Sequence, residues 1–295
     1  IRDSNRLDQN VATQKSIPET IQESGQIKSE PSKQPNVQLP GKKDSNVKSI
    51  RILTDTLDLK ISLADGSVIS SKLLKYPENF GSDDIKVQLL DDSRQAYVAK
   101  GGLQSKNAAQ PQNFRSSKKE YLLGDRDNMT VEISGETDKG VKITKKYFFE
   151  RGSHLINISQ VVQNTSNAET SCRQYYTLQP RDEKTTNAIL YTYTGTAIYD
   201  DDEKFSKISF SDIEDNDFLT TTSDSWISMI EHYFFTAWLP SKNERQTLYT
   251  RFSDTGSHKS YLIGSVGNYN CLLYTSAAAD DTPCVDLGGR RIIKK

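Results

Sequence analysis

A two-residue alternation of apolar and polar side chains, beginning at Ile50, constrains the fold of this chain more than any other feature. Leu57, Leu59, Ile61 and Leu63 are predicted to lie on one side of an extended backbone, and the residues between them on the other. Asp65 and Gly66 follow, and apolar residues return after them. Asp-Gly between two such runs favours a tight turn with positive φ, so the segment predicts a β-hairpin.

The same alternation recurs along most of the chain. It is carried by Val131, Ile133, Val141, Ile143, Lys145, Ile156, Ile158, Tyr175, Thr177, Tyr191, Tyr193, Ile208 and Phe210. Residues 138–140, with the sequence Asp-Lys-Gly, predict a turn between two of these runs. Short strands at this spacing, with few segments of helical period, predict an all-β sandwich.

Two segments are harder to assign. In residues 226–239 the spacing of Trp226, Ile230 and Phe234 is also compatible with one face of a helix. The aromatic and β-branched content of the segment and the closing Pro240 favour one buried strand instead. Residues 81–126 contain Gly-Gly and an Asn/Gln-rich stretch, and they predict a long, partly irregular excursion between sheets.

Both ends differ in composition from the centre. Residues 1–47 are rich in Gln, Ser, Asn, Lys, Glu and Pro and predict a disordered tether, because they offer little apolar surface to bury. Residues 271–295 resemble a translated transposase-type sequencing adapter, since the codons tgt ctc tta tac aca tct encode residues 271–276. A genuine tail is the alternative. We therefore predict a folded domain at 48–270 and exclude 271–295 from fold reasoning.

Charge and composition exclude several classes of function. The net charge is −1, or −2 without residues 271–295, so no basic surface is expected to hold nucleic acid. No apolar run approaches the roughly 18–20 residues that a membrane span needs. The chain begins at Ile1 instead of Met, so the absence of a targeting segment carries no weight. Cys172, the one cysteine outside 271–295, is expected to be a small apolar strand residue.

Catalytic, metal and cofactor sites find little support in the residues. A sugar-ring epimerisation needs a carboxylate and an imidazole, and the available histidines are His154, His232 and His258. None lies in a recognisable motif, and His232 is expected to be a core or interface residue. The acidic clusters at 200–203 and 212–217 lack the spacing of a calcium loop and are interpreted as solvated loops. No phosphate-binding loop or dinucleotide fingerprint is present, so no cofactor and no metal are expected.

A mixture of aromatic and charged residues at 199–210 is the best candidate for a binding surface. Aromatic anchors within a charged rim are typical of protein–protein contacts. The alternative is an edge strand whose Phe205, Ile208 and Phe210 pack inward. The candidate partner-binding residues are Tyr199, Asp202, Glu203, Lys204, Phe205 and Lys207.

Two separated segments together carry a resemblance to a known family. The first is residues 49–77; the second comprises Ala197, Tyr199, Asp202, Glu203, Lys204, Phe205, Lys207, Phe210, Trp226, Met229, Tyr233, Phe234, Thr236, Ala237, Trp238 and Pro240. In this order they resemble the periplasmic domain of the YidC membrane-protein insertases, over roughly residues 47–270. The resemblance implies a β-supersandwich similar to the galactose mutarotases, incomplete at its C-terminal end, and a tether that follows a missing transmembrane helix.

The resemblance also implies a function and partners. The expected role is that of the periplasmic domain of an insertase and chaperone in the inner membrane of a Gram-negative bacterium, assisting membrane proteins alone or with the Sec translocon. Expected partners are SecD–SecF, SecYEG and nascent membrane proteins, with the SecF contact near residues 190–217 and membrane attachment through helices outside the chain. The function is not enzymatic. The alternative is a soluble mutarotase-like domain that binds or epimerises carbohydrate.

Overall fold

The computed structural model describes residues 48–79, 81–92, 97–105, 113–165, 168–179, 193–241, 244–254, 256, 259–272, 285–286 and 290–294. The chain divides into Ile1–Pro35 and Asn36–Lys295, and every described residue lies in the second unit. The predicted disordered tether at 1–47 therefore lies outside the described residues.

The first sheet contains eleven of the strands formed by the described residues. In spatial order it runs β14 (Leu219–Thr222), β17 (Gln246–Asp254), β18 (Lys259–Gly267), β11 (Thr170–Gln179), β5 (Val98–Ser105), β3 (Val68–Asn79), β2 (Leu57–Ser62), β1 (Ser49–Leu53) and β7 (Glu120–Leu122). Two further strands, β4 (Ser82–Asp91) and β19 (Asn270–Leu272), pair with β3 and β11 respectively.

The second sheet has ten strands within the same described ranges. Its order is β13 (Lys204–Ile208), β12 (Thr194–Asp200), β15 (Trp226–Glu231), β16 (Phe234–Leu239), β21 (Arg290–Lys294), β10 (Ile156–Asn164), β9 (Val141–Glu150), β8 (Asn128–Glu136) and β6 (Arg115–Ser116), with β20 (Val285–Asp286) also pairing with β10. One helix, α1 (Phe210–Asp215), follows β13 in the described chain. No helix among the described residues is long and apolar enough to cross a bilayer.

The hairpin predicted from the first alternating segment is confirmed. β2 and β3 pair antiparallel, with Leu57 opposite Leu73. Leu57, Leu59 and Ile61 are buried, as their spacing predicts. At the turn, Gly66 adopts a φ of 73°, the left-handed conformation that glycine enters without steric penalty. The predicted all-β sandwich is confirmed as well, because the inward faces of both sheets bury a common apolar core.

A buried lysine joins the two sheets. Lys145 lies on the inward face of β9 and is 2% exposed. Its Nζ donates to the carbonyl oxygens of Asp65, in the β2–β3 turn, at 2.7 Å and of Gly101, in β5 of the first sheet, at 2.6 Å. Burial, reinforced by the charge of Lys100 and opposed by that of Asp65, lowers the pKa of Lys145 to about 8. Nearby, the Tyr147 hydroxyl donates to the Gly66 carbonyl at 2.6 Å. These bonds hold the β2–β3 turn against the second sheet.

The carboxyl group of Asp65 completes this contact. Burial opposes its ionisation, but the charges of Lys100 and Lys145 and hydrogen bonds from Ser67 hold the pKa of Asp65 below its usual range. The Lys100 amine lies 3.6 Å from the carboxylate. Two positive charges and one negative charge therefore lie close together at the turn. The net positive charge resides on the most deeply buried group, Lys145.

The prediction of a single strand across residues 226–239 was wrong. The segment forms two antiparallel strands, β15 and β16, which pair from Ile227 opposite Trp238 to Glu231 opposite Phe234. The chain reverses at His232, whose φ of 54° is left-handed, and at Tyr233. His232 is exposed, so it is not a core residue, and the alternative that it lies in an interface stays a prediction. The aromatic composition indicated strands correctly, but it concealed a turn that contains no Gly, Asn or Asp.

The expected excursion between sheets at residues 81–126 was wrong for β4 and β5, which are strands of the first sheet. β5 pairs with β11 across its whole length, whereas β4 pairs with β3 through several register shifts, so the expected partial irregularity is present there. Gly101 lies in β5 because a side chain does not fit there: a Cβ atom would lie 2.9 Å from the Trp238 ring. The glycine that suggested a loop instead admits a core tryptophan. Trp238 also donates from Nε1 to the Thr177 carbonyl of the first sheet at 3.1 Å.

Cys172 is buried in β11, as expected of a small apolar strand residue. Beyond residue 272 the described backbone consists of β20 and β21, and β21 lies between β16 and β10. Its register places Ile292 opposite Ile156 and Ile293 opposite Ala237. The domain boundary at residue 270 and the adapter origin of 271–295 stay predictions.

Candidate protein-binding surface

The predicted partner-binding residues lie on a hairpin at one edge of the second sheet. β12 and β13 pair antiparallel, with Tyr199 opposite Phe205 and Asp200 opposite Lys204. Asp200 is 4% exposed, and its Oδ1 accepts hydrogen bonds from the backbone N–H groups of residues 202 and 203, at 2.8 and 2.7 Å. Lys204 leaves the turn with a φ of 65°. The buried carboxylate thus fixes the shape of the loop that presents Asp202 and Glu203 to solvent.

The aromatic members of the prediction come together around Trp226. Tyr199 stacks on Trp226 with ring centroids 5.9 Å apart and planes at 15°, and Phe205 lies 5.9 Å from the same ring. Phe205 is 50% exposed, so the alternative that it packs inward is wrong for this residue. Ile208 is buried and Phe210 packs against the core, as that alternative expected. Trp226 belongs to the surface because β15 pairs with β12, which sequence spacing does not reveal.

The charged members of the prediction surround this aromatic cluster. The Lys204 amine donates to the Asp201 carbonyl at 2.7 Å and lies 5.8 Å from the Tyr199 ring. The Lys207 amine lies over the Tyr193 ring at 4.6 Å. Both lysines, Asp202 and Glu203 are exposed. The hairpin therefore presents anionic and cationic groups on either side of an exposed aromatic ring.

A groove crosses the outer face of the second sheet beside this hairpin, and we call it the outer groove. At its floor lie two small residues of adjacent strands, Ser228 and Ala237, which the register places opposite each other. Larger side chains form its two walls, and its volume is about 300 Å³. The lining residues are Phe205, Trp226, Ser228, Ile230, Phe235, Ala237 and Leu239.

The acidic clusters do not form a cation site. The Asp200 carboxylate is engaged by backbone N–H groups, and Asp212 accepts from the backbone N–H of Ser209 in a capping box at the start of α1. Hydrogen bonds from the side chain and then the backbone of Ser209 lower the pKa of Asp212. Glu214 pairs with Lys259 at 2.7 Å, and this contact lowers the pKa of Glu214. The described part of the chain contains no group of three or more His, Cys, Asp or Glu residues suited to a metal.

Two of the three histidines lie within the described residues, at separate places in the fold. His154 lies half-buried, 5.9 Å from the Tyr76 ring, and His232 lies exposed at the β15–β16 turn. His258 lies outside the described residues.

A polar cavity of about 500 Å³ lies on the first sheet, lined by Arg51, Asp58, Lys60, Ser70, Lys72, Gln88, Asp91 and Asp92. Arg51 binds Asp58 at 2.8 Å and Glu120 at 3.1 Å, and the hydrogen bond from Arg51 lowers the pKa of Asp58. Cationic and anionic side chains lie side by side in this lining, and the buried Ser70 hydroxyl accepts from Gln88 Nε2 at 3.1 Å.

Comparison with known proteins extends these findings. The family described as the YidC periplasmic domain matches residues 49–272. Proteins named membrane protein insertase YidC are similar at 31% identity over 73% of the chain (Thioalkalivibrio sulfidiphilus) and at 32% over 75% (Pseudoalteromonas atlantica). A third, from Methylococcus capsulatus, is 33% identical over 68%. The chain spans 38–40% of the length of these relatives.

Solved structures show the same fold at low sequence identity. A galactose mutarotase-like protein from Lactobacillus casei aligns with a TM-score of 0.52 at 8% identity, covering 84% of this chain and 100% of that one. A family 36 α-galactosidase from Geobacillus stearothermophilus aligns with a TM-score of 0.50 at 9% identity, covering 84% and 40%. These likenesses confirm the mutarotase-like fold and give no support to an enzymatic function.

Proposed function

The chain belongs to the YidC periplasmic domain family, and from this membership we propose that it works as the periplasmic part of an inner-membrane protein insertase. The supporting observation is that the family match, residues 49–272, runs through strands of both sheets. The relatives are named as insertases and not as enzymes, so the catalytic alternative is set aside. Insertion itself is assigned to the part of the parent protein that lies outside this chain.

Within that role, the β12–β13 hairpin is our candidate for docking to the Sec translocon, in particular to SecD–SecF or SecYEG. Its exposed Phe205 offers an aromatic anchor, and Asp202, Glu203, Lys204 and Lys207 supply the charged rim that commonly surrounds such anchors. A chaperone role toward nascent membrane proteins belongs to the same proposal. Rim charges are expected to change association rates more than the stability of the complex.

A chimeric insertase tests the proposed role. The matching region of the Pseudoalteromonas atlantica relative is replaced by residues 49–272 of this chain, and the chimera is produced in cells depleted of their own insertase. We expect it to support growth and the membrane insertion of a reporter protein. A chimera that reaches the membrane in normal amounts but inserts no better than one lacking the domain would contradict the proposal.

Site-specific crosslinking tests the hairpin separately. A photoreactive residue replaces Phe205 in the chimera, and crosslinks to Sec components are compared with those from position 122. Leu122 is the matched control because it is equally exposed, at 50%, but lies in the first sheet. Crosslinks that form at both positions to the same extent would reject a specific hairpin contact.

A further inference from the structure

Strand β14 forms an uncharged edge of the first sheet. It lies at the end of the spatial order of that sheet, and β17 is its only partner among the described strands. Its sequence is Leu-Thr-Thr-Thr, and the β-branched threonines favour an extended backbone. The strands at the other three ends of the two sheet orders carry charged residues, namely Lys204, Lys207, Glu120 and Arg115. Charged side chains on an edge discourage the addition of another strand, and β14 lacks this protection.

The backbone of β14 has groups available for pairing on its open side. Just before the strand, the Phe218 carbonyl accepts from the Thr250 backbone N–H at 3.0 Å, so these residues form a hydrogen-bonded pair. Hydrogen-bonded and non-hydrogen-bonded pairs alternate along antiparallel strands, which places Leu219 and Thr221 at non-hydrogen-bonded positions against β17. Their backbone N–H and C=O groups therefore point away from β17. No hydrogen bond within the described part of the chain engages these groups.

The side chains of β14 indicate what an added strand would contact. Leu219 is 46% exposed and Thr221 is exposed, while Thr220 is half-buried and Thr222 is buried. The exposed pair shares one face of the strand, because alternate side chains lie on the same side of a sheet. Apolar or β-branched residues of an added strand would pack beside Leu219 on that face.

Both ends of β14 are acidic. Asp217, two residues before the strand, is exposed, and Asp224, two residues after it, is half-buried. The backbone N–H of Asp201 donates to the Thr222 hydroxyl at 3.2 Å, which brings the exposed Asp202 to the same end. These carboxylates favour an added segment with a basic residue at each end.

The same charges disfavour a second copy of the chain on this edge. An antiparallel copy that pairs through the open backbone groups would place Leu219 opposite Thr221 of the other copy. Asp217 of each copy would then lie within one residue of the position opposite Asp224 of the other. Like charges so placed destabilise strand pairing.

We propose that the open edge of β14 pairs with an extended segment of a partner protein that has a β-branched, apolar core and a basic residue at each end. In strand addition of this kind, main-chain hydrogen bonds provide affinity and alternate side chains provide specificity. The inference goes beyond the proposed function and does not depend on it, because β14 belongs to the first sheet and the β12–β13 hairpin to the second.

Peptide titration with the full 295-residue chain tests the inference. The probe is a fluorescein-labelled peptide of about ten residues, with an alternating valine and threonine core and lysines at both ends. We expect saturable binding in fluorescence anisotropy. A peptide with every core amide N-methylated keeps the charges but cannot pair, and it should bind at least about tenfold more weakly. Glutamates in place of the lysines should weaken binding to a similar extent. Equal binding of the N-methylated peptide would overturn the inference.

A proline substitution locates the site on β14. Thr221→Pro removes an N–H that points away from β17, a position at which an edge strand tolerates proline, and it should weaken binding at least about tenfold. Thr221→Val is the matched control, because it keeps the N–H, and it should bind as the unmodified chain does. Equal binding by Thr221→Pro and Thr221→Val would contradict pairing at this edge.

A charge reversal keeps the test valid if Thr221→Pro misfolds. The double variant Asp217→Lys with Asp224→Lys should prefer the glutamate-flanked peptide over the lysine-flanked one. Asp138→Lys is its control, since Asp138 is exposed in the β8–β9 turn of the other sheet, and it should leave the preference unchanged. An unchanged preference in the double variant would contradict the basic ends of the partner.

Other outcomes are distinguishable. Concentration-dependent dimers in sedimentation velocity that Thr221→Pro abolishes would assign the edge to a second copy and overturn the inference. A functional chimera, with no peptide binding to the full chain, would remove only the strand addition. Peptide binding together with an inactive chimera would remove only the insertase role.

Discussion

Replacing Lys145 with methionine tests whether a charged amine is held inside the sandwich at neutral pH. Burial lowers the pKa of Lys145 to about 8, against an ordinary value of 10.5. In the unfolded chain the amine keeps its proton up to about pH 10.5, while in the folded chain it loses the proton near pH 8. Between these values the unfolded state binds more protons, so the free energy of unfolding rises with pH.

The magnitude follows from the two pKa values. Each pKa unit corresponds to about 1.4 kcal/mol, so raising the pH from 7 to 10 should stabilise the unmodified chain by ~2.5 kcal/mol relative to Lys145→Met. Most of this gain should appear above pH 8. Taking the difference between the two proteins cancels the titration of groups that they share.

Urea unfolding followed by tryptophan fluorescence at pH 7, 8, 9 and 10 measures the difference, provided that unfolding is reversible and two-state. Lys146→Met is the matched control, because Lys146 is the neighbouring lysine but is exposed and pairs with Glu132 at 3.1 Å. The buried charge would be refuted if the stability difference between the unmodified chain and Lys145→Met did not change with pH. It would also be refuted if Lys146→Met showed the same dependence on pH.

Three other substitutions test local features of the fold by urea unfolding at pH 7. Gly66→Ala should lower the free energy of unfolding by roughly 1–3 kcal/mol, because φ is positive and the new Cβ would lie 2.8 Å from Lys145. An unchanged urea midpoint would contradict the left-handed turn conformation at Gly66. Ser209→Ala should cost about 1 kcal/mol by removing the cap of α1, and Ser209→Thr should restore most of it. Trp238→Phe should lower the free energy of unfolding by about 1–3 kcal/mol, since the Thr177 carbonyl loses its buried donor. Unchanged stability would show that this hydrogen bond does not stabilise the fold.

The alternating segments predicted their strands well because burial repeats every two residues in a half-buried sheet. In β9, Val141, Ile143 and Lys145 share the inward face that their spacing predicts. That Lys145 is buried as a cation was not predictable, because its carbonyl partners come from residue 65 in the β2–β3 turn and residue 101 in the other sheet. A contact across the sandwich leaves no pattern within one strand.

The candidate surface likewise combines features that the local sequence predicts with features that depend on pairing between strands. The residues of the β12–β13 hairpin lie close in sequence, so composition was enough to single them out. Trp226 joins Tyr199 and Phe205 through the pairing of β12 with β15. The outer groove exists because two small residues, Ser228 and Ala237, fall in register on adjacent strands. Register depends on the turns between strands, and the turn at His232 has no glycine to mark it.

Adapter-free sequencing of the source DNA through the codon for Asn270 tests the central claim most directly, because an insertase domain must be joined to membrane-spanning helices. The account predicts that the reading frame departs from residues 271–295 and continues through further strands into several apolar runs of about 20 residues. Codons for 271–295 followed by a stop would contradict it.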